Sequence, residues 1–156
     1  MIKNNLYIST TFLKNGQPVE KAIKLLNKQK IFNIEIGSNH NYEKNLSFFK
    51  KYKFINNFLL HNYFPVPKNG FVINIASDDK KIRNRSINQI IKSINFAKKY
   101  SCKIFTFHPG FIGDPQEGLD TKSRNYDFVW SETIKIKHKD AWSNLIKSLK
   151  KIVKHA

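Results

Sequence analysis

The sequence predicts an α/β fold built on a parallel sheet, and two observations carry that expectation. Short β-like runs alternate with amphipathic helical stretches along the chain, and polar residues gather where the runs end. The order is β-α-β-α-β-(loop)-α-β-(loop)-α, about four βα units, which implies parallel strands joined by crossovers. Two architectures satisfy this order, a (β/α) barrel and a doubly wound open sheet. Against the second, no Gly-rich phosphate fingerprint follows the first strand, where Ser9-Thr10-Thr11-Phe12 stands instead.

Leu6-Tyr7-Ile8-Ser9-Thr10 is the first predicted strand. Gly16-Gln17-Pro18 punctuates, and Pro18 suits a helix start. Val19, Ala22, Ile23 and Leu26 follow at helical spacing, leaving a Lys-rich face to water. Asn33 to Gly37 is a second strand, and Tyr42 to Tyr52 a second helix carrying Leu46 and Phe49. Phe58-Leu59-Leu60-His61 is nearly continuous in apolar residues, as a strand buried on both faces would be. From Asn62 to Arg85 the chain makes a longer excursion. Its extended piece, Phe71 to Ile75, is read as loop because no helix separates it from the third strand. Ser86 is expected to cap a helix with Ile87, Ile90, Ile91, Ile94 and Ala97 on one stripe. Lys103 to His108 is the fourth strand. After a polar loop, Trp142, Leu145, Ile146, Leu149, Ile152 and Val153 mark a last helix.

At 156 residues with 40% hydrophobic composition, the chain suits one globular domain, taken as residues 1–156. No apolar run is long enough to span a bilayer, and Met1-Ile-Lys-Asn-Asn lacks the apolar core of a signal peptide. No membrane partner is therefore expected. The single cysteine, Cys102, leaves no internal disulfide and no Cys-rich zinc site, which points to a reducing cytoplasm. A net charge of +17 suggests a polyanion. Yet only Arg83, Arg85 and Arg124 are arginines, and the lysines spread over every helix beside abundant Asn and Ile. That pattern fits compositional bias better than a binding stripe, so nucleic acid is the weaker expectation.

In a parallel barrel the C-terminal strand ends converge on the face that carries the active site. Here those ends hold Ser9 and Thr10, Glu35 and Ser38, His61 and Asn62, and His108. Neutral imidazole is a common ligand for divalent metals, so His61 and His108 are candidate metal ligands as well as rim residues hydrogen-bonded to neighbours. Glu35 alternates against Ile34 and Ile36 and faces either a substrate or a structural partner such as a lysine. His40, His138 and His155 are expected at the surface. Arg83 and Arg85 have the geometry to clamp a phosphate or stand solvated before the helix. Asp78 and Asp79 are expected to settle the turn there. Phe64, Phe111 and Trp130 either wall a pocket or pack.

The segments LLHNYFP, FVINIASDD, RNRSINQIIKSINFAKKY and KIFTFHPGF together resemble the xylose isomerase-like TIM-barrel superfamily, shared by endonuclease IV and many sugar phosphate isomerase/epimerase proteins. NIEIGSNHNY resembles the second βα unit of that superfamily, so the resemblance covers residues 5–112. It implies the N-terminal half of a TIM barrel. In endonuclease IV-like members the histidines matching His61 and His108 are metal ligands. In the sugar isomerases and epimerases the metal comes mainly from later strands, and first-half residues shape the sugar pocket. The glutamate expected on a fifth strand has no counterpart, so a fragment, a truncated product or a half-barrel completed by a second chain is expected.

The resemblance thus implies, first, a sugar or sugar phosphate isomerase or epimerase. A divalent metal (Zn, Mn or Mg) would assist proton transfer next to a carbonyl, with Glu35, His61, Asn62 and His108 contacting the substrate. The alternative is an endonuclease IV-like, metal-dependent enzyme of abasic-site DNA repair. A third reading is a half-barrel that binds without turnover. No catalytic residue is assigned under any of them.

Overall fold

The structure is a computed structural model and describes residues 6–115 and 137–156. The chain divides into two compact units. One comprises Met1–Lys68 with Lys92–Phe107, the other Asn69–Ile91 with His108–Ala156. Among the described residues no helix is long and apolar enough to cross a membrane.

The first unit is a four-stranded parallel sheet of β1 (Ile8–Ser9), β2 (Asn33–Ile36), β3 (Asn57–His61) and β4 (Ile104–Thr106), in the order β1-β2-β3-β4. The order runs one way without the reversal that a doubly wound sheet requires, in keeping with consecutive βα units. The barrel itself is not closed among the described residues, where β1 and β4 are the edges. Register places Ile34 beside Phe58 and Ile36 beside Leu60, so one sheet face is a continuous apolar layer.

Helices α1 (Val19–Lys28) and α2 (Phe49–Tyr52) and the last turns of α3 (Lys80–Tyr100) cover that layer. Val19, Ile23 and Leu26 of α1 join Phe96, Ala97 and Tyr100 of α3 in one core cluster. At its centre Phe49 is fully buried, with the rings of Phe48, Phe58, Phe64, Phe96 and Tyr100 centred 4.7, 5.2, 5.7, 5.0 and 5.5 Å away. Such offset and edge contacts add to the large area that each aromatic removes from water.

Several elements depart from expectation for local reasons. The first strand is only Ile8–Ser9, because Ser9 Oγ accepts from the Thr11 amide and turns Thr10–Phe12 into a 3-10 turn. The second helix is a single turn. Asn45 Oδ1 accepts from the Ser47 amide, a local bond that competes with helix, and Glu43 Oε1 accepts from the Val19 amide at the start of α1. The third strand is buried on one face only, since Leu59 and His61 alternate with buried Phe58 and Leu60. The fourth strand stops at Thr106, short of His108.

In the second unit, α3 begins at Lys80 rather than at Ser86. Asp79 Oδ1 accepts from the Lys81 and Ile82 amides, so Asp79 is the cap, as its place before the helix suggested. Ser86 lies inside the helix and accepts from the Asn74 amide through its Oγ, which also donates to the Ile82 carbonyl. The stretch 71–75 is not a strand, but Ile73 to Ser77 are buried rather than solvated. Helix α4 (His138–His155) buries Ala141, Ser148 and Ile152, and Ser148 Oγ donates to the Ile75 carbonyl at 2.8 Å. Trp142 and Val153, expected on the packed stripe, are 65% and 70% exposed, so the packed face lies one residue to the side.

Replacing Phe49 with alanine is expected to cost about 3–5 kcal/mol in urea unfolding, more than any exposed Phe such as Phe54. A loss within about 1 kcal/mol would remove Phe49 from the centre of the core.

Candidate functional site

The strand ends of the first unit carry a connected set of polar groups. His40 is 5% exposed and Thr10 is fully buried, which corrects the expectation of a surface histidine. His40 Nδ1 lies 2.9 Å from the Gln17 carbonyl, an acceptor only, so Nδ1 carries the proton. The opposite nitrogen, Nε2, then accepts from Thr10 Oγ1 at 2.7 Å, and that hydroxyl accepts in turn from the Gly37 amide at 3.0 Å. Burial holds the His40 imidazole below its ordinary value of 6.5. Gly37 is required here, because a Cβ would collide with the Thr11 side chain. Asn39 completes the rim by donating from Nδ2 to the carbonyls of Thr11 and Leu13 at 3.2 and 2.9 Å.

On the face opposite the core, Glu35 sits in register with Ser9 and Leu59 and is half-buried. Among the described residues it forms no ion pair, so a lysine, one of the two partners open to it, does not hold it there. His61 ends β3, half-buried, with Nδ1 2.9 Å from Thr106 Oγ1 on the neighbouring strand. Asn62 follows with φ 54°, a left-handed conformation that Asn tolerates better than most residues. Its amide donates to the Thr106 carbonyl at 2.6 Å, while its buried Oδ1 has no hydrogen-bond partner. An orphaned acceptor of this kind is uncommon in folded proteins. Glu35, His61 and Asn62 thus belong to one sheet unit.

His108 belongs to the second unit and is exposed. The turn after it is pinned by Asn74, which is fully buried. Asn74 Oδ1 accepts from the amides of Ala76 and Phe111, both at 3.1 Å. Asn74 Nδ2 donates to Asp114 Oδ1 at 2.8 Å, and Asp114 Oδ2 accepts from Ser77 Oγ at 2.5 Å. Asn74 and Ser77 read in the sequence only as loop residues, and nothing near Asp114 marks it as their partner.

Among the described residues no three His, Cys, Asp or Glu side chains come together as a metal cluster. Arg83 donates to the carbonyls of Ser77 and Asp78, and Arg85 donates to the Asn69 carbonyl and stacks on Phe71 at 3.9 Å. Both are therefore committed to the protein rather than forming a phosphate clamp. Phe64 is core, and Trp130 lies outside the described residues. Burial pushes the Cys102 thiol up to about 12, so it is no thiolate nucleophile.

No family model matches the sequence. Over 61 residues the chain is 34% identical to "Apurinic-apyrimidinic endonuclease 1" of Plasmodium falciparum, a match covering 39% of this chain and 9% of that protein. Over 67 residues it is 27% identical to "Probable endonuclease 4" of Thermoplasma volcanium, covering 43% of this chain and 24% of that protein. The matched stretches are thus a small part of either relative. Both relatives are named as endonucleases, so they favour the DNA-repair alternative over the isomerase or epimerase expectation.

Because His40 is held neutral in the fold, the unfolded chain binds more protons just below pH 6.5. Its contribution to stability is complete above that value and is lost as pH falls through the window down to the folded pKa. His40→Gln is expected to flatten this part of a urea-midpoint-against-pH profile. A variant as pH-dependent as the parent would rule the His40 contribution out.

Proposed function

We propose that this chain contributes to a divalent-metal-dependent, DNA-directed endonuclease of the endonuclease IV kind. In this reading His61 and His108 are metal ligands, and Glu35 and Asn62 are substrate contacts. The observation that carries the proposal is His61 at the end of β3, with its ring oriented by Thr106, in a chain whose similar proteins are named as endonucleases. A hydroxyl holding one imidazole nitrogen is the kind of outer contact that orients a metal-ligating histidine.

Imidazole donors suit zinc or manganese better than magnesium. Two histidines are fewer than the three protein ligands of a catalytic zinc site, so the chain supplies part of a ligand set. When bound, such an ion would offset charge on a phosphodiester oxygen and lower the pKa of a water. The chain's own contribution is to orient His61 through Thr106, with Asn62 next to it at the same strand end. The charge of +17 adds a sequence-independent attraction for phosphate.

One observation favours a second reading. Glu35 is a half-buried carboxylate without an ion pair among the described residues, and it would suit the hydroxyls of a sugar or sugar phosphate. That keeps a metal-assisted isomerase or epimerase as the competitor.

The test is zinc and manganese content of the parent beside His61→Ala and His108→Ala, with solution mass in the same run. Loss of the metal in either variant is expected, and equal content in all three would sink the ligand assignment. In parallel, affinity for a duplex carrying an abasic-site analogue is expected to fall steeply with salt. Binding that ignores salt, or none at all, would shift weight to the sugar reading.

A further inference from the structure

We infer that Asn74 is a positioning residue whose buried amide fixes the turn after His108 and thereby sets where the His108 imidazole stands. The inference rests on the proposal that His108 is a metal ligand.

A primary amide has two acceptor lone pairs and two donor hydrogens. In Asn74 all four are used. Oδ1 takes the amides of Ala76 and Phe111, and Nδ2 gives to Asp114 Oδ1 at 2.8 Å and to the Gly113 carbonyl at 3.3 Å. Three of these four partners, Phe111, Gly113 and Asp114, lie just beyond His108 in the chain. The backbone adds a fifth tie, from the Ile75 amide to the Pro109 carbonyl at 2.9 Å. Asn74 is itself held by Ser86 Oγ, which accepts from its amide at 2.9 Å.

Contact between the two segments is as close as backbone allows. Gly110 has φ 127°, and a Cβ there would collide with the Asn74 side chain and stand 2.6 Å from its Cα. Neither position accepts a larger group without moving the turn. An aspartate at 74 would match Asn in size but lacks donors, and it would face the carboxylate of Asp114. The sequence around 74 thus demands an amide in particular, and the amide spends its bonds on the residues that carry His108.

The exchange of Asn74 and Asp114 tests this on the full chain. The readouts are the histidine ring signals in a labelled-histidine NMR spectrum, with His108 identified through His108→Gln, and zinc affinity by titration. Asn74→Asp is expected to move or broaden the His108 signal and weaken zinc binding about tenfold or more. Asn74→Asp with Asp114→Asn re-creates the donor and acceptor pairing, and both readouts are expected to return towards the parent. Asp114→Asn alone keeps an oxygen for Asn74 and is expected to change little. A folded Asn74→Asp with a parental His108 signal and parental zinc affinity overturns the inference. So does a double variant that regains thermal stability but not the His108 signal. If Asn74→Asp does not fold, Ser77→Ala loosens Asp114 more gently, and an unmoved His108 signal there counts against the inference. A parent that binds no zinc defeats the ligand proposal instead, while the His108 signal still decides the positioning.

Discussion

In the sheet unit, Ile34 and Ile36 lie in register with Phe58 and Leu60, and this shared face has to be removed from water. Helices α1 and α3 and the single turn of α2 do so through rings centred on Phe49. Because side chains alternate along a strand, burying this set sends Glu35, Leu59 and His61 to the other face. A slip of one residue in β3 would bury His61 and expose Leu60. The apolar register is therefore what presents the candidate residues, and the parallel direction brings their strand ends to one side.

In the loops that follow the strands, buried polar groups add order to that of apolar packing. His40, Thr10 and Gly37 tie the loops after β1 and β2 in the first unit. Asn74, Asp114 and Ser77 tie the turn after His108 in the second. A buried amide or imidazole is costly unless every donor and acceptor is met, so each group admits few arrangements of its loop. Not every such atom is met: next to His61 the buried Asn62 Oδ1 has no hydrogen-bond partner, and the same holds for Asn39 Oδ1 on the rim after β2.

Much of the fold was legible in the sequence because it depends on local periodicity. The α1 stripe, the alternation about Glu35 and the role of Asp79 all follow from neighbouring residues. Helix ends were harder. Helices α1 and α3 stop through residues in the left-handed conformation, Lys30 at φ 60° and Ser101 at φ 58°, where glycine is the usual signal. The next amides, of Ile31 and Cys102, bond back to the Leu26 and Ala97 carbonyls. The short α2 reflects the Asn45–Ser47 bond together with Glu43, whose partner Val19 is 24 residues away, and the interior Ser86 answers to Asn74, 12 residues away. His40 looked exposed for the same reason, since its partners Thr10 and Gln17 lie on an earlier loop. Of the candidate site, residue types and strand ends could be read; the supporting bonds could not.

The balance between DNA and a small sugar turns on what the charge means. Lysines on every helix give a broad positive field, which raises encounter with any polyanion without selecting a sequence or a lesion. Arg83 and Arg85, the residues best shaped to grip a phosphate, instead hold backbone carbonyls of their own unit. The field alone therefore argues for attraction to phosphate and not for recognition. On the proposed reading, recognition would come from the strand ends of the sheet unit, where Glu35 and His61 supply a carboxylate and an imidazole. A metal bound at His61 would make this strand end a place for an anionic oxygen. Without metal, the Glu35 carboxylate suits neutral hydroxyls better. On this chemistry, metal occupancy decides which kind of ligand the strand ends can hold, and it precedes any question of which reaction follows.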